Sequence, residues 1–353
     1  MELTTIAEAS ADGPLRTFGP YVPSVDADGR VAFQATRGDG TSAVFVGDGS
    51  EPARALEVAA PYDAYDVVSH PAIGPRGTVW FAKRGEHEVL LVHDGTRTEA
   101  VIDNRYPGLD AIGPLGPTTD DGGAIAFRGG LHGRPVVGTV RGGIVELFDD
   151  KTLTRHWGLP ILAEQSLLLR ADDVRGRSVL LEVRGHEQRV LLATGRAYAS
   201  IGAFVSADGD RIAAGVRRVD GHEALLEVLP GSHLTRVLLE AGTDFASLRG
   251  VLVAGAHTVF YASPLEDELA VYALGREPRR IVGLGDRLKS GPRAVATRDS
   301  FAARSRAELF GPRVSDLALN PVSIHRAGWL AIRLALEDGQ ERIVRVALGD
   351  FER

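Results

Sequence analysis

Apolar residues run through this chain in short continuous stretches, each entered through a polar turn that usually carries glycine. The stretches are VDADGRVAF (Val25–Phe33), IGPRGTVWF (Ile73–Phe81), DDGGAIAF (Asp120–Phe127), SADGDRIAA (Ser206–Ala214), AGAHTVFY (Ala254–Tyr261) and IHRAGWLAI (Ile324–Ile332), with a degenerate copy, AEQSLLLRA, at Ala163–Ala171. Anchored on Gly29, Gly77, Gly123, Gln165, Gly209, Gly255 and Gly328, they recur at spacings of about 48, 46, 42, 44, 46 and finally 73 residues. Periods of this length belong to propeller blades.

Each unit repeats an internal order. An apolar strand such as VAFQA or IAFRG is followed by a polar hairpin (RGDGT, RGEHE, LEDGQE), a third strand (SAVFV, EVLLV, RIVRV) and a fourth (RALEVAA, TEAVID, TRVLLEA). The hairpins hold the Gly, Asp and His that tight turns demand. Where an open sheet would alternate, these runs are apolar throughout, as strands covered on both faces are. The pattern predicts an all-β fold, a seven-bladed β-propeller of four-stranded antiparallel blades forming a single domain over residues 1–353. The opening strand, LTTIAEA, has no unit before it and is expected to complete the last blade beside RIVRVAL. An interruption at 289–313 (KSGPRAVATRDSFAARSRAELFGPR) precedes that blade. It predicts a short helix, capped by Thr297 or Asp299 with Phe301, Ser305 and Leu309 on one side, acting as a lid or a surface ornament.

The repeated G-x-(V/I)-A-F after an acidic turn, together with the ending VSDLALNPVSIHRAGWLAIRLALEDGQERIVRV, resembles the tandem-repeat family named for its NxxGxxAF motif. The resemblance covers most of the chain and implies a propeller-like fold, often with a secretion signal and a surface anchor, and no particular activity. This chain holds Asp, Gly or His at the motif's Asn.

Composition narrows the chemistry. A hydrophobic share of 44% and a charged share of 25% are those of a globular chain with a substantial core. The formal net charge of -7 argues against a nucleic-acid partner bound through the overall field. The absence of cysteine excludes disulfides, thiolate nucleophiles and iron–sulfur or zinc–thiolate sites. No secretion signal is legible at MELTTIAEASADGPLR and no run approaches the roughly 20 apolar residues of a spanning helix, so a cytoplasmic protein without a membrane partner is expected.

Asp26-Ala27-Asp28-Gly29 shares the D-x-D-G spacing of a calcium loop, but the equivalent turns IGPRG and IHRAG carry no paired acids, which favours a plain turn. His87-Glu88 followed by His93 has the wrong interval for a zinc helix and lies in a strand. No phosphate loop or nucleophile elbow is present. No cofactor and no metal is expected.

In a propeller, loops from an outer strand to the next inner strand surround one mouth of the central channel, where a rigid frame presents free side chains. Those segments supply Tyr21, Tyr62, Tyr65, Asp66, His70, Arg105, Tyr106, Asp110, Arg155, His156, Trp157, Tyr198 and Asp244, and the interruption adds Arg298 and Arg304. His70 or His156 as base, Tyr106 as acid, and Asp66 and Asp110 as orienting carboxylates would suit acid-base work. Arg105 and Arg155 would stabilise negative charge, while Tyr and Trp faces and the remaining arginines hold substrate. The reading is a cofactor-independent lyase, cyclase or isomerase acting on a small organic molecule. Its rivals are a noncatalytic scaffold for a protein or glycan partner and a metal-dependent propeller lyase or hydrolase.

Overall fold

Backbone geometry dictates the glycines that anchor the repeat. Gly29, Gly77, Gly123, Gly209, Gly255 and Gly328 all adopt positive φ, between 54° and 111°, a region that costs an L side chain about 1–2 kcal/mol. At Gly77 a Cβ would also stand 2.0 Å from the His93 carbonyl oxygen. Each turn joins the inner strand of a blade to its second strand, and the apolar run that follows is buried along its length.

The structure is a computed structural model and describes residues 2–58, 65–163, 166–185, 187–229, 234–288, 293–297 and 311–349. It is a seven-bladed propeller. Blade 4 is a plain example: Leu153–Ala163 innermost, then Ser166–Asp173, Ser178–Arg184 and Glu187–Ala193, each antiparallel to the last. The degenerate unit is therefore a full blade, with residues 164 and 165 of its turn outside the described residues. Blades 5 and 6 begin with Tyr198–Asp208 and Phe245–Ala254.

The repeated motif is the wall of the core. Phe33, Phe81, Phe127 and Phe260, one from each of blades 1, 2, 3 and 6, are fully buried, each contributing roughly 1.5–3 kcal/mol of transfer free energy. Seven apolar clusters among the described residues lie along the seams between neighbouring blades. One joins Val79, Phe81 and Leu90 of blade 2 to Ile125, Phe127 and Val136 of blade 3.

Closure follows the expected route. Glu2–Ala9 lies antiparallel to Glu341–Ala347, with Leu3 opposite Val346. The described part of the interruption lies ahead of the expected helix. Arg293–Thr297 is a strand that pairs with the outer side of Glu2–Ala9, Glu2 facing Val295. An N-terminal strand at the rim leaves an unpaired edge, and the chain that passes it satisfies that edge. Thr297 is thus a strand residue, and the proposed helix with Phe301, Ser305 and Leu309 lies outside the described residues.

The inner strands are broken midway. Blade 1 has Leu15–Thr17 and then Ser24–Val25, blade 2 Val67–Val68 and Ala72–Gly74, blade 3 Ala111–Ile112 and Thr118–Thr119. Blades 4, 5 and 6 keep one strand with register shifts at Trp157/Ile161, Ile201/Val205 and Leu248/Gly250. Blade 7 inserts a 3-10 turn at Pro321–Ser323. Gly-Pro, His-Pro and Asn-Pro pairs occupy several of these breaks, since proline withholds a ladder donor.

Candidate functional site

The channel has two ends of different construction. The end formed by the turns between inner and second strands, the turn mouth, encloses a cavity of about 1020 Å³. Its walls come from Val25–Asp28, Ala72–Pro75, Thr118–Gly122, Ile161–Leu162, Ala207–Gly209 and Ile324–Ala327. Charged groups ring it, and they answer one another. Asp26 accepts from the backbone N–H of Asp28 at 3.1 Å and of Arg30 at 2.8 Å, and from Arg30 Nε at 2.8 Å, which closes a turn and leaves its carboxylate occupied. Asp120 accepts from Ala124 N at 2.8 Å. Arg326 of blade 7 reaches across the opening: its Nε is 2.9 Å from Asp121 of blade 3, and its Nη2 pairs with Asp208 of blade 5. His325 Nε2 stands 3.2 Å from Asp121.

At the other end, the loop mouth, the expected residues separate into distinct groups. Asp66 accepts from Gly85 N at 2.7 Å and Asp110 accepts from His132 N. Each carboxylate thereby clamps the hairpin after the second strand of its own blade. Tyr65 packs half-buried against the Val44, Val68 and Trp80 cluster. Arg105 is held by Asp103, with Nε at 3.0 Å; this hydrogen bond is the main reason the Asp103 carboxyl sits at about 2. Tyr106 is exposed in the same loop, two residues before Gly108, where a Cβ would meet Leu147 of the outermost strand of blade 3 at 3.0 Å. Arg105 and Tyr106 therefore stand on the outer rim. Tyr198 OH lies 3.5 Å from Thr235 Oγ1, and Asp244 is exposed just before the inner strand of blade 6. Tyr62, Arg298 and Arg304 lie outside the described residues.

Two groups do come together on the inner strands. His70 follows the first half of the blade 2 inner strand, 5% exposed, with Nε2 buried and unpartnered. The Tyr21 ring of blade 1 is 6.1 Å away, and a Cβ at Gly116 of blade 3 would come within 2.6 Å of Nε2, so three inner strands meet on this imidazole. Burial lowers its pKa to about 4.

His156 is 4% exposed on the inner strand of blade 4, and both of its ring nitrogens lack partners. Burial and then the Arg128 guanidinium lower it to about 4, against the opposing pull of Asp150. Beside it, Arg155 stacks on the Trp157 ring at 3.6 Å and Arg170 stands 5.2 Å from the same ring. Trp157 Nε1 donates to Asp172 at 2.7 Å. Arg128 Nη2 donates to the His156 carbonyl at 2.9 Å.

Arg155, Trp157 and His156 thus assemble as a group, and two residues that the loop reading passed over, Arg128 and Arg170, complete it. The signal for them was present: each is the lone cation interrupting an apolar run within a second strand, IAFRG and LLLRA. Among the described residues no set of three or more His, Cys, Asp or Glu side chains is placed to hold a metal ion.

Comparison with known proteins matches no family model and no curated protein. Solved structures match in fold. The β-propeller domain of the trilobed protease from Pyrococcus furiosus is 10% identical with a TM-score of 0.60, covering 94% of this chain and 99% of that one. An oligogalacturonate lyase from Vibrio parahaemolyticus is 11% identical with a TM-score of 0.57, covering 99% of both chains. The acylaminoacyl peptidase of Pyrococcus horikoshii is 12% identical with a TM-score of 0.54, and this chain spans 52% of its length. Enzymes and enzyme domains are thus among the propellers this chain resembles. At these identities the likeness is one of fold.

Proposed function

We propose that the chain is an enzyme that takes a small organic molecule at the loop-mouth half of its channel and acts on it by cofactor-independent acid-base chemistry, in the lyase, cyclase or isomerase class. His156 carries the reading. It is a neutral imidazole with both nitrogens unpartnered, on a channel strand, beside guanidinium groups that suit a developing negative charge. Burial and Arg128 hold the imidazole in its neutral, lone-pair-bearing form at neutral pH while weakening it as a base, and an anionic ligand beside it would offset the Arg128 charge. His70, with its unpartnered Nε2 beside Gly116 and its ring 6.1 Å from that of Tyr21, is the second base candidate.

A thermal-shift screen across a metabolite panel identifies the ligand, and turnover of that ligand is then compared in His156→Gln and His70→Gln. General-base removal lowers kcat by about 10²–10⁴-fold. Unchanged turnover in both variants overturns the assignment. A second reading, a scaffold for a protein or glycan partner, is favoured by exposed apolar side chains on the outermost strands of blades 3 and 5, Ile144 and Val237. Partner binding that survives both histidine substitutions would support it.

A further inference from the structure

The second strands carry the same position in every blade, five residues after the turn residue of the repeat. It is Gln34 in blade 1, Ala82 in blade 2, Arg128 in blade 3, Arg170 in blade 4, Ala214 in blade 5, Phe260 in blade 6 and Arg333 in blade 7. The three arginines fare differently. Arg333 has its own acids, Asp316 at 2.8 Å and Glu341 at 3.8 Å, and donates to the Gly19 carbonyl. Arg128 and Arg170 have no carboxylate within ion-pair distance among the described residues, and Arg170 Nε is buried without an acceptor. Both converge on blade 4, where Arg155 is likewise without an acid.

All three surround one residue. Arg155 and Arg170 lie against the Trp157 ring. Arg128 donates to the carbonyls on either side of Trp157, those of His156 at 2.9 Å and Gly158 at 3.4 Å. Asp172, the acid nearest the ring, is occupied by Trp157 Nε1 and by Ser178 Oγ at 2.6 Å. The like charges feel one another: Arg155 adds to burial in lowering the pKa of Arg128. In a chain of net charge -7, three guanidiniums gathered around a single carboxylate, Asp172, whose charge acts on Arg170 without forming an ion pair, leave an excess of positive charge that a bound anion fills.

We infer that Arg128, Arg155 and Arg170 form, around Trp157, a binding site for an organic oxyanion bearing carboxylate or phosphate. The inference rests on the proposed function and narrows it: the molecule is an acid, held beside His156. The forked guanidinium geometry suits two-oxygen recognition, and the exposed Arg155 is the gate residue, able to leave the indole face and close on the ligand.

Binding is measured by calorimetry at fixed ionic strength, with citrate and inorganic phosphate as separate probes, so the result is independent of any turnover. At least one probe is expected to bind the unaltered chain, the stronger of the two identifying the acid class. Arg155→Gln and Arg170→Gln should each weaken that binding tenfold or more, while Arg170→Lys, which keeps the charge and loses the fork, restores only part of it. Arg326→Gln, at the opposite mouth, should leave it unchanged. The inference fails if neither anion binds, if both glutamine variants bind as tightly as the unaltered chain, or if Arg326→Gln abolishes binding. Anion binding without any turnover would leave this site standing and remove the enzyme reading. Turnover unaffected by Arg155→Gln and Arg170→Gln would do the reverse.

Discussion

The two mouths of the channel are built from the same repeat, yet they treat charge in opposite ways. At the turn mouth the carboxylates of Asp26, Asp120, Asp121 and Asp208 are taken up by turn N–H groups and arginines, and Arg326 bridges three blades. Around Trp157, three arginines form no ion pair among the described residues and a buried imidazole has no hydrogen-bond partner, with Asp172 and Asp150 as the acids that act on them from nearby. The large cavity lies at the first end and the unanswered chemistry nearer the second. Volume by itself usually marks a ligand site, but here the charges beside the volume already serve the frame. Unsatisfied groups are the better guide, because burying a charge or an imidazole without a partner is costly unless a ligand completes it.

The strongest way to sharpen the contrast is acid titration of stability. Burial holds His70 and His156 neutral in the folded chain down to about 4, whereas the unfolded chain protonates them near the ordinary 6.5. The unfolded state therefore binds more protons in that window. Stability is fully present above 6.5 and is lost as pH falls toward 4, by up to roughly 1.4 kcal/mol per pH unit for each histidine. Urea unfolding at several pH values should show this slope, the double variant His70→Gln with His156→Gln should flatten it, and Arg326→Gln should not.

Next in size is Gly77→Ala at the turn mouth, expected to cost roughly 3 kcal/mol because positive φ and the His93 carbonyl both oppose a Cβ. Chemical denaturation reads that loss, and anion binding at Arg155 should survive it. Arg326→Gln, which cuts partly exposed pairs, should cost about 1 kcal/mol or less, shrinking as salt is added; a larger, salt-independent loss would contradict the view of these pairs as surface clamps. Smallest is Asp28→Asn, within about 0.5 kcal/mol. Calcium should leave the melting temperature unmoved, and a calcium-induced rise that this variant removes would restore the metal reading of that turn.

The frame was legible because its signals are local and repeated. A glycine at positive φ, an apolar run behind it and a polar hairpin ahead recur often enough to give blade number and the closing strand. Within the interruption the strand at RAVAT was not legible, because the run is short and neutral in pattern and its strand character comes from an edge supplied by Glu2–Ala9 far away in sequence. The site was legible only in part. Arg155, His156 and Trp157 were found because they sit together in one loop-proximal segment. Arg128 and Arg170 arrive from second strands of two blades, a convergence that depends on blade packing. By residue type Asp66 and Asp110 read as orienting carboxylates and Arg105 as a stabiliser of negative charge; their hydrogen bonds to hairpin N–H groups and to Asp103 depend on neighbours that residue type does not show.

The strand Glu2–Ala9 does more than complete a sheet. Its Leu3 belongs to the cluster shared by blades 6 and 7, while Ile6 and Ala9 belong to the cluster shared by blades 7 and 1. One segment thus fastens two seams, and it also carries Arg293–Thr297 along its outer side. Peeling it away would loosen blade 7 from both neighbours in a single step, so the ring behaves less like a stack that frays blade by blade than like a belt with one buckle.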